Sequence, residues 1–240
     1  MQVSESIYIG DRSFPIIIRR RNGRNLRLRI NLENQIVVSV PWNCSDGKAL
    51  SFVAEQIEWL EKNLSVVPKT SGIYEWLIEY PYLSADGERF PVQMQSVPGS
   101  RASYVFGRDK AEIILRLPQG DQSPEATLLK LVRRFAADAL NCRLNHHVKR
   151  LGLTVHRVTV RNQSSRWGSC TAKRDISLNW RLVLLKPGLQ DYVILHELAH
   201  LQEMNHSALF WALLSTYDPE YQTHEAELKA IADTVMRVGR

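Results

Sequence analysis

The run His196-Glu197-Leu198-Ala199-His200, followed six residues later by His206, limits the fold of this chain more than any other feature. On an α-helix, residues four apart share a face, with Cβ atoms roughly 6 Å apart. Two imidazoles so spaced can both reach one zinc ion at about 2.0–2.1 Å. Glu197 would then flank the metal, its carboxylate placed to act as general base on a zinc-bound water.

The third histidine adds a demand on the backbone. Six further residues turn a helix by about 600°, a net 240°, so an unbroken helix would carry His206 away from the metal. The helix is expected to stop near Met204 or Asn205 and double back. Asn205 suits such an end because asparagine tolerates the left-handed conformation, and Ser207 can cap the next helix. The metzincin pattern H-E-x-x-H-x-x-G-x-x-H has the same ligand spacing. Here Glu203 stands where that pattern has glycine, so its turn does not carry over. Glu225, Glu227 and Glu203 are rival third ligands. Zinc's preference for nitrogen donors, and the open fourth position of three-ligand sites, favour His206. A chance match in a packed helix with surface histidines is the bland alternative, and His206 weighs against it.

At 240 residues the chain can bury a substantial core in one or two domains. Its 44% apolar and 23% charged content is ordinary for a globular protein. No run of eighteen or more apolar residues occurs, so no membrane-spanning helix is expected. Residues 1–10 lack the apolar stretch of a secretory signal, and a cytoplasmic location is the default. Cys44, Cys142 and Cys170 are odd in number and widely spaced, which predicts reduced thiols. Cys170 is read as a structural cysteine before a ligand or nucleophile.

The net charge of +6 raises the question of an acidic partner. Arg19, Arg20, Arg21, Arg24, Arg27 and Arg29 cluster near the start, and a second basic stretch runs from Lys130 to Arg166. No helix-turn-helix, zinc-finger or RNP-like motif accompanies them. A solvated basic face is the favoured reading over a nucleic-acid surface.

Residues 14–19, 26–30 and 36–40 read as strands, and Asn22-Gly23 and Glu33-Asn34 as turns, which predicts an antiparallel meander. After Pro41, Ser45 or Asp46 caps a helix to about Lys62, with Phe52, Val53, Ile57 and Leu60 as its apolar stripe. Residues 90–97 and 111–117 look like further strands of the same module, and Asp86-Gly87 like a hairpin turn. The loop-rich 118–123 stretch sets an expected boundary, giving a β-rich module over 1–122 and a catalytic domain over 123–240.

Ser123-Pro124-Glu125 opens a helix to about Arg150, with Leu128, Leu131, Val132, Phe135, Ala139, Leu144 and Val148 as its core face. His146 and His147 near its end are explained by the helix dipole without a metal. Residues 155–160 and 176–185 read as strands, with Lys173-Arg174-Asp175 as a turn. Pro187-Gly188 admits the motif helix, from about Leu189 to Met204. A shorter helix from Ser207 follows, and Asp218-Pro219-Glu220 opens the last.

Arg166-Trp167-Gly168-Ser169-Cys170, Leu178-Asn179-Trp180-Arg181-Leu182, Asp191-Tyr192-Val193 before the motif, and Asn205-His206-Ser207 with Phe210-Trp211 together resemble the YgjP-like zinc metallopeptidases, relatives of the SprT-like proteases in the zincin group. The resemblance implies an α+β fold, a minimal zincin with its active-site helix beside a small antiparallel sheet. It implies zinc on His196, His200 and His206, and Glu197 polarising water.

Peptide-bond hydrolysis of a peptide or protein substrate is the leading expectation. The segment around Arg166 to Cys170 is the candidate strand to hold it. Tyr217, Tyr221, His224, Arg166 and Arg181 all remain open as the second electrophile for the oxyanion. A nucleic-acid-associated protease of SprT-like type, and a catalytically silent zinc-containing binding protein, are the alternatives. Oligomeric state is not legible.

Overall fold

A computed structural model describes residues 3–99, 101–107, 109 and 111–240. Its contacts divide the chain into two compact units, Met1–Thr70 with Arg240, and Ser71–Gly239.

The first unit has four strands, β1 (Val3–Ile9), β2 (Arg12–Arg21), β3 (Arg27–Ile30) and β4 (Ile36–Pro41), in the order β1-β2-β4-β3. The expected meander is corrected, because β2 pairs with β4 in parallel rather than with β3. Ile16-Ile17-Ile18 and Ile36-Val37-Val38 are continuous apolar runs with both sides buried. Such runs suit central parallel strands. The alternating, half-exposed Arg27-Leu28-Arg29-Ile30 takes an edge and hairpins onto β4 across left-handed Asn34 (φ 56°).

One expected helix is two, α1 (Asp46–Glu55) and α2 (Ile57–Leu64), broken at Gln56. Ser45 caps α1 by accepting from the Lys48 amide at 3.3 Å. Val53, Leu60 and Leu64 pack with Ile16, Ile18 and Val38 as the unit's core. Register puts Arg19, Ser39 and Arg27 in one row on the opposite sheet face, which Arg21 and Arg29 share. Arg20, on the core side, pairs with Asp46 at 2.6 Å.

The second unit begins with α3 (Ile73–Glu79), which the sequence reading did not foresee. Strands β5 (Tyr82–Ala85), β6 (Glu88–Val97), β7 (Ser103–Gly107) and β8 (Glu112–Pro118) follow, in the order β5-β6-β8-β7. The β5–β6 hairpin turns at Asp86-Gly87, both left-handed, as that dipeptide predicts. The long α4 (Pro124–Leu151) ends on left-handed Gly152.

Leu128, Val132, Phe135 and Leu140 of α4 share one core with Ile113 and Leu115 of β8 and with Leu178 and Leu195 near the motif. That shared core is why the boundary expected at 122/123 falls inside this unit, and why residues 90–97 and 111–117 do not extend the first sheet. Glu125, expected to serve its own helix, accepts from the Ile73 and Tyr74 amides at 2.6 and 3.0 Å and so caps α3.

The third sheet contains β9 (Arg157–Arg161), β10 (Gly168–Cys170) and β11 (Asp175–Asn179), in the order β10-β11-β9. It is mixed rather than purely antiparallel. β10 turns back onto β11 through Thr171–Arg174, leaving β9 the far edge in parallel. The strand expected to reach Leu185 stops at Asn179. Trp180–Leu184 is a 3-10 helix, all five residues buried, and the Asn179 side chain caps it from Arg181 N at 3.2 Å.

Helices α5 (Pro187–Ala199), α6 (Ala208–Tyr217) and α7 (Tyr221–Val235) complete an α+β fold, with the motif helix packed beside a small sheet. Among the described residues, no helix is long and apolar enough to cross a membrane.

Candidate metal centre

The motif helix ends sooner than its sequence suggests. α5 stops at Ala199 with His200 as its C-cap, short of Met204. Leu201 and Gln202 amides bond back to Leu198 and Ala199 carbonyls at 3.1 and 3.0 Å, tightening the last turn. Asn205 is not left-handed; that expectation is corrected, since the tightened turn begins the reversal first. Ser207 caps α6 as expected, accepting from the Phe210 amide at 3.4 Å.

This turn brings the three histidines together. One ring nitrogen each from His196, His200 and His206 lies within 4.8 Å of the others. The Nε2 atoms of His196 and His206 are 3.0 Å apart. His200 Nδ1 donates to the Glu203 carbonyl at 3.0 Å, which fixes its tautomer and leaves Nε2 free to ligate. Phe210 stacks on His200 and Trp211 on His206, with centroids 4.6 and 5.6 Å apart.

The electrostatics fit a cation. Burial, with His200 and His206 nearby, holds the His196 imidazole down to about 3, so it is the neutral, ligating form. Burial pushes the Glu197 carboxyl up to about 8, against the pull of Arg166. Among the described residues, buried His196 Nδ1 and Glu197 Oε2 have no hydrogen-bond partner. Imidazole nitrogens facing one another beside a carboxyl with an unused oxygen suit a divalent ion, and a three-nitrogen donor set suits zinc.

Among the described residues, the rivals are not part of the histidine cluster. Glu203 contributes its carbonyl, Glu225 pairs with Lys229 at 2.8 Å, and Glu227 pairs with Lys186 at 3.3 Å. Cys170 lines the histidine cleft, but burial pushes its thiol up to about 11. His147 is buried with Nε2 3.0 Å from Asp191, which Arg143 also grips at 2.7 and 2.5 Å. This clamp, rather than a helix dipole, accounts for it.

Of the five candidate electrophiles, the structure brings Arg166 to the histidines and Glu197. Arg181 is fully buried, donating to the Val238 carbonyl and to Asn162 at 2.8 Å each. Tyr217 accepts from Gln202, Tyr221 stacks on Trp211, and His224 bonds Asp218.

Two residues gained roles that sequence reasoning missed. A Cβ at Gly168 would meet Glu197 Oε1 at 2.5 Å, so only glycine lets β10 lie this close to the carboxylate. Tyr192 precedes His196 by four residues, and its ring centroid lies 5.9 Å from the imidazole. The same one-face spacing that singles out His196 and His200 was the available signal for it. β10 is an edge strand of its sheet, as a substrate-binding strand requires.

A family model described as the YgjP-like metallopeptidase domain matches residues 24–231. No curated protein matches. A solved structure similar to part of the chain is the metallopeptidase zymogen of Pyrococcus abyssi abylysin, 25% identical over 38% of this chain and 92% of that one, with a TM-score of 0.35. With 24–231 matched and a histidine cluster where the motif placed it, the chain belongs to the YgjP-like metallopeptidase family.

Proposed function

We propose that the protein is a zinc-dependent peptidase in which His196, His200 and His206 hold the metal and Glu197 is the general base. The observation that carries this reading is the convergence of three histidine nitrogens within 4.8 Å, next to a buried carboxyl with an unused oxygen. Zinc bound there supplies Lewis acidity, polarising a peptide carbonyl and acidifying water. Glu197 takes the proton from the attacking water and returns it to the departing amine nitrogen.

Gly168 keeps that carboxyl pressed against β10, whose free edge pairs with an extended peptide by β-augmentation. Arg166, exposed on the histidine side, offers a guanidinium to the oxyanion of the tetrahedral intermediate.

The ligand set is tested by elemental analysis. Wild-type protein is expected to hold one zinc per chain, and His206→Ala to lose most of it at matched free zinc. Full retention by His206→Ala would contradict the assignment of the third ligand.

A further inference from the structure

Two clefts meet at Gly168, His196 and Glu197, and their chemistry differs. The one containing Arg166, His200 and His206 is polar and belongs to the centre described above. The other, about 270 Å³, is walled by Trp167, Tyr192, Val193, Leu228 and Ala232. We infer that this second cleft is a side-chain subsite that seats one apolar residue of the substrate, immediately beside the bond to be cut. The inference rests on the peptidase reading and deepens it.

Size comes first. Pockets for whole small molecules run about 300–1,000 Å³, so this one takes a single side chain of leucine or phenylalanine scale. Charge points the same way. Glu225 and Lys229 at the cleft bond each other at 2.8 Å, leaving little net charge to select a charged group. Position follows from the strand edge: an extended peptide on β10 alternates its side chains, so one enters the cleft while the next faces away.

Tyr192 lines the cleft at 5% exposure, its ring centroid 5.9 Å from the His196 imidazole, so the apolar wall adjoins the histidine centre.

Digestion of a peptide library by the zinc-loaded protein tests the inference. Leucine, methionine or phenylalanine should be enriched at one position flanking the cleaved bond, by about tenfold or more over alanine in kcat/KM. Ala232→Phe, which fills the cleft, should move that preference to glycine or alanine. As a check independent of turnover and of that variant's folding, Glu197→Gln should bind a labelled leucine peptide at least about tenfold more tightly than its aspartate counterpart.

Cleavage without preference at any flanking position would overturn the subsite and leave the peptidase reading standing. So would a properly folded Ala232→Phe with unchanged preference, or equal binding of the two peptides. If no peptide is cut at all, the peptidase reading fails and the subsite falls with it.

Discussion

Gly168 and Glu197 occupy a space that admits no additional carbon. A methyl at 168 would sit 2.5 Å from Glu197 Oε1, 2.6 Å from its Cγ and 2.8 Å from its Cδ. Gly168→Ala should therefore cost about 1–3 kcal/mol of stability and lower turnover by displacing the carboxyl, while zinc content stays unchanged. Denaturant midpoints, metal analysis and peptide assays on one sample read all three. A variant with full activity and stability would show that the approach of β10 to Glu197 tolerates a methyl.

The contrast between His196 and Gly168 marks what a sequence discloses at this scale. Helical pitch fixes where His196, Glu197 and His200 point once the segment is helical, so spacing alone was enough. Gly168 and Arg166 matter because β10 packs against α5, a distance between elements that no local spacing encodes. Arg181 is the converse: a basic residue in a conspicuous motif, fully buried on the Val238 carbonyl.

At the scale of elements, α4 and α5 are joined by a polar clamp as well as by apolar packing. Asp191 on α5 accepts a bidentate pair from Arg143 and a third bond from His147, both on α4. Burial alone would raise its carboxyl, yet these bonds outweigh it and hold the group below the usual carboxylate range. Asp191→Asn leaves Arg143 without its anion in a mostly buried place, and should cost about 2–4 kcal/mol.

The sign of its pH dependence follows. A depressed folded value means the stabilisation is present above the unfolded pKa of about 3.9 and is lost as pH falls through the folded value. The gap in unfolding free energy between wild type and Asp191→Asn should thus be flat near neutrality and shrink only below about pH 4. A gap that closes between pH 7 and 5 would assign the stabilisation to another group.

The elements most legible in the sequence were those with one strong period or a chemical punctuation mark. α4 runs from Pro124 to Leu151 with Gly152 closing it, and Asp86-Gly87 makes its hairpin. Full burial defeated the pattern at Trp180–Leu184, where alternation read as strand and the chain forms a 3-10 helix. Topology was the weakest point. Apolar runs identify β2 and β4 as central, but pairing them in parallel with β3 outside is a choice that turn residues do not announce.

For the whole molecule, the stretch at 118–123 imitates a linker while joining β8 and α4, which share one core. The compact units divide at Thr70 and Ser71. The smaller one carries Arg19, Arg21, Arg27 and Arg29 on a single sheet face, so the arginine cluster seen in the sequence is a surface of defined geometry. The larger one contains every residue to which a catalytic role is assigned here.

The most direct measurement is digestion of a proteome-derived peptide library by zinc-loaded wild type and by Glu197→Gln, with metal content determined on both. Equal zinc, reproducible cleavage by wild type and a loss of about 10²–10⁴-fold in Glu197→Gln are expected if Glu197 is the general base. Equal cleavage by the two proteins at equal zinc would contradict it.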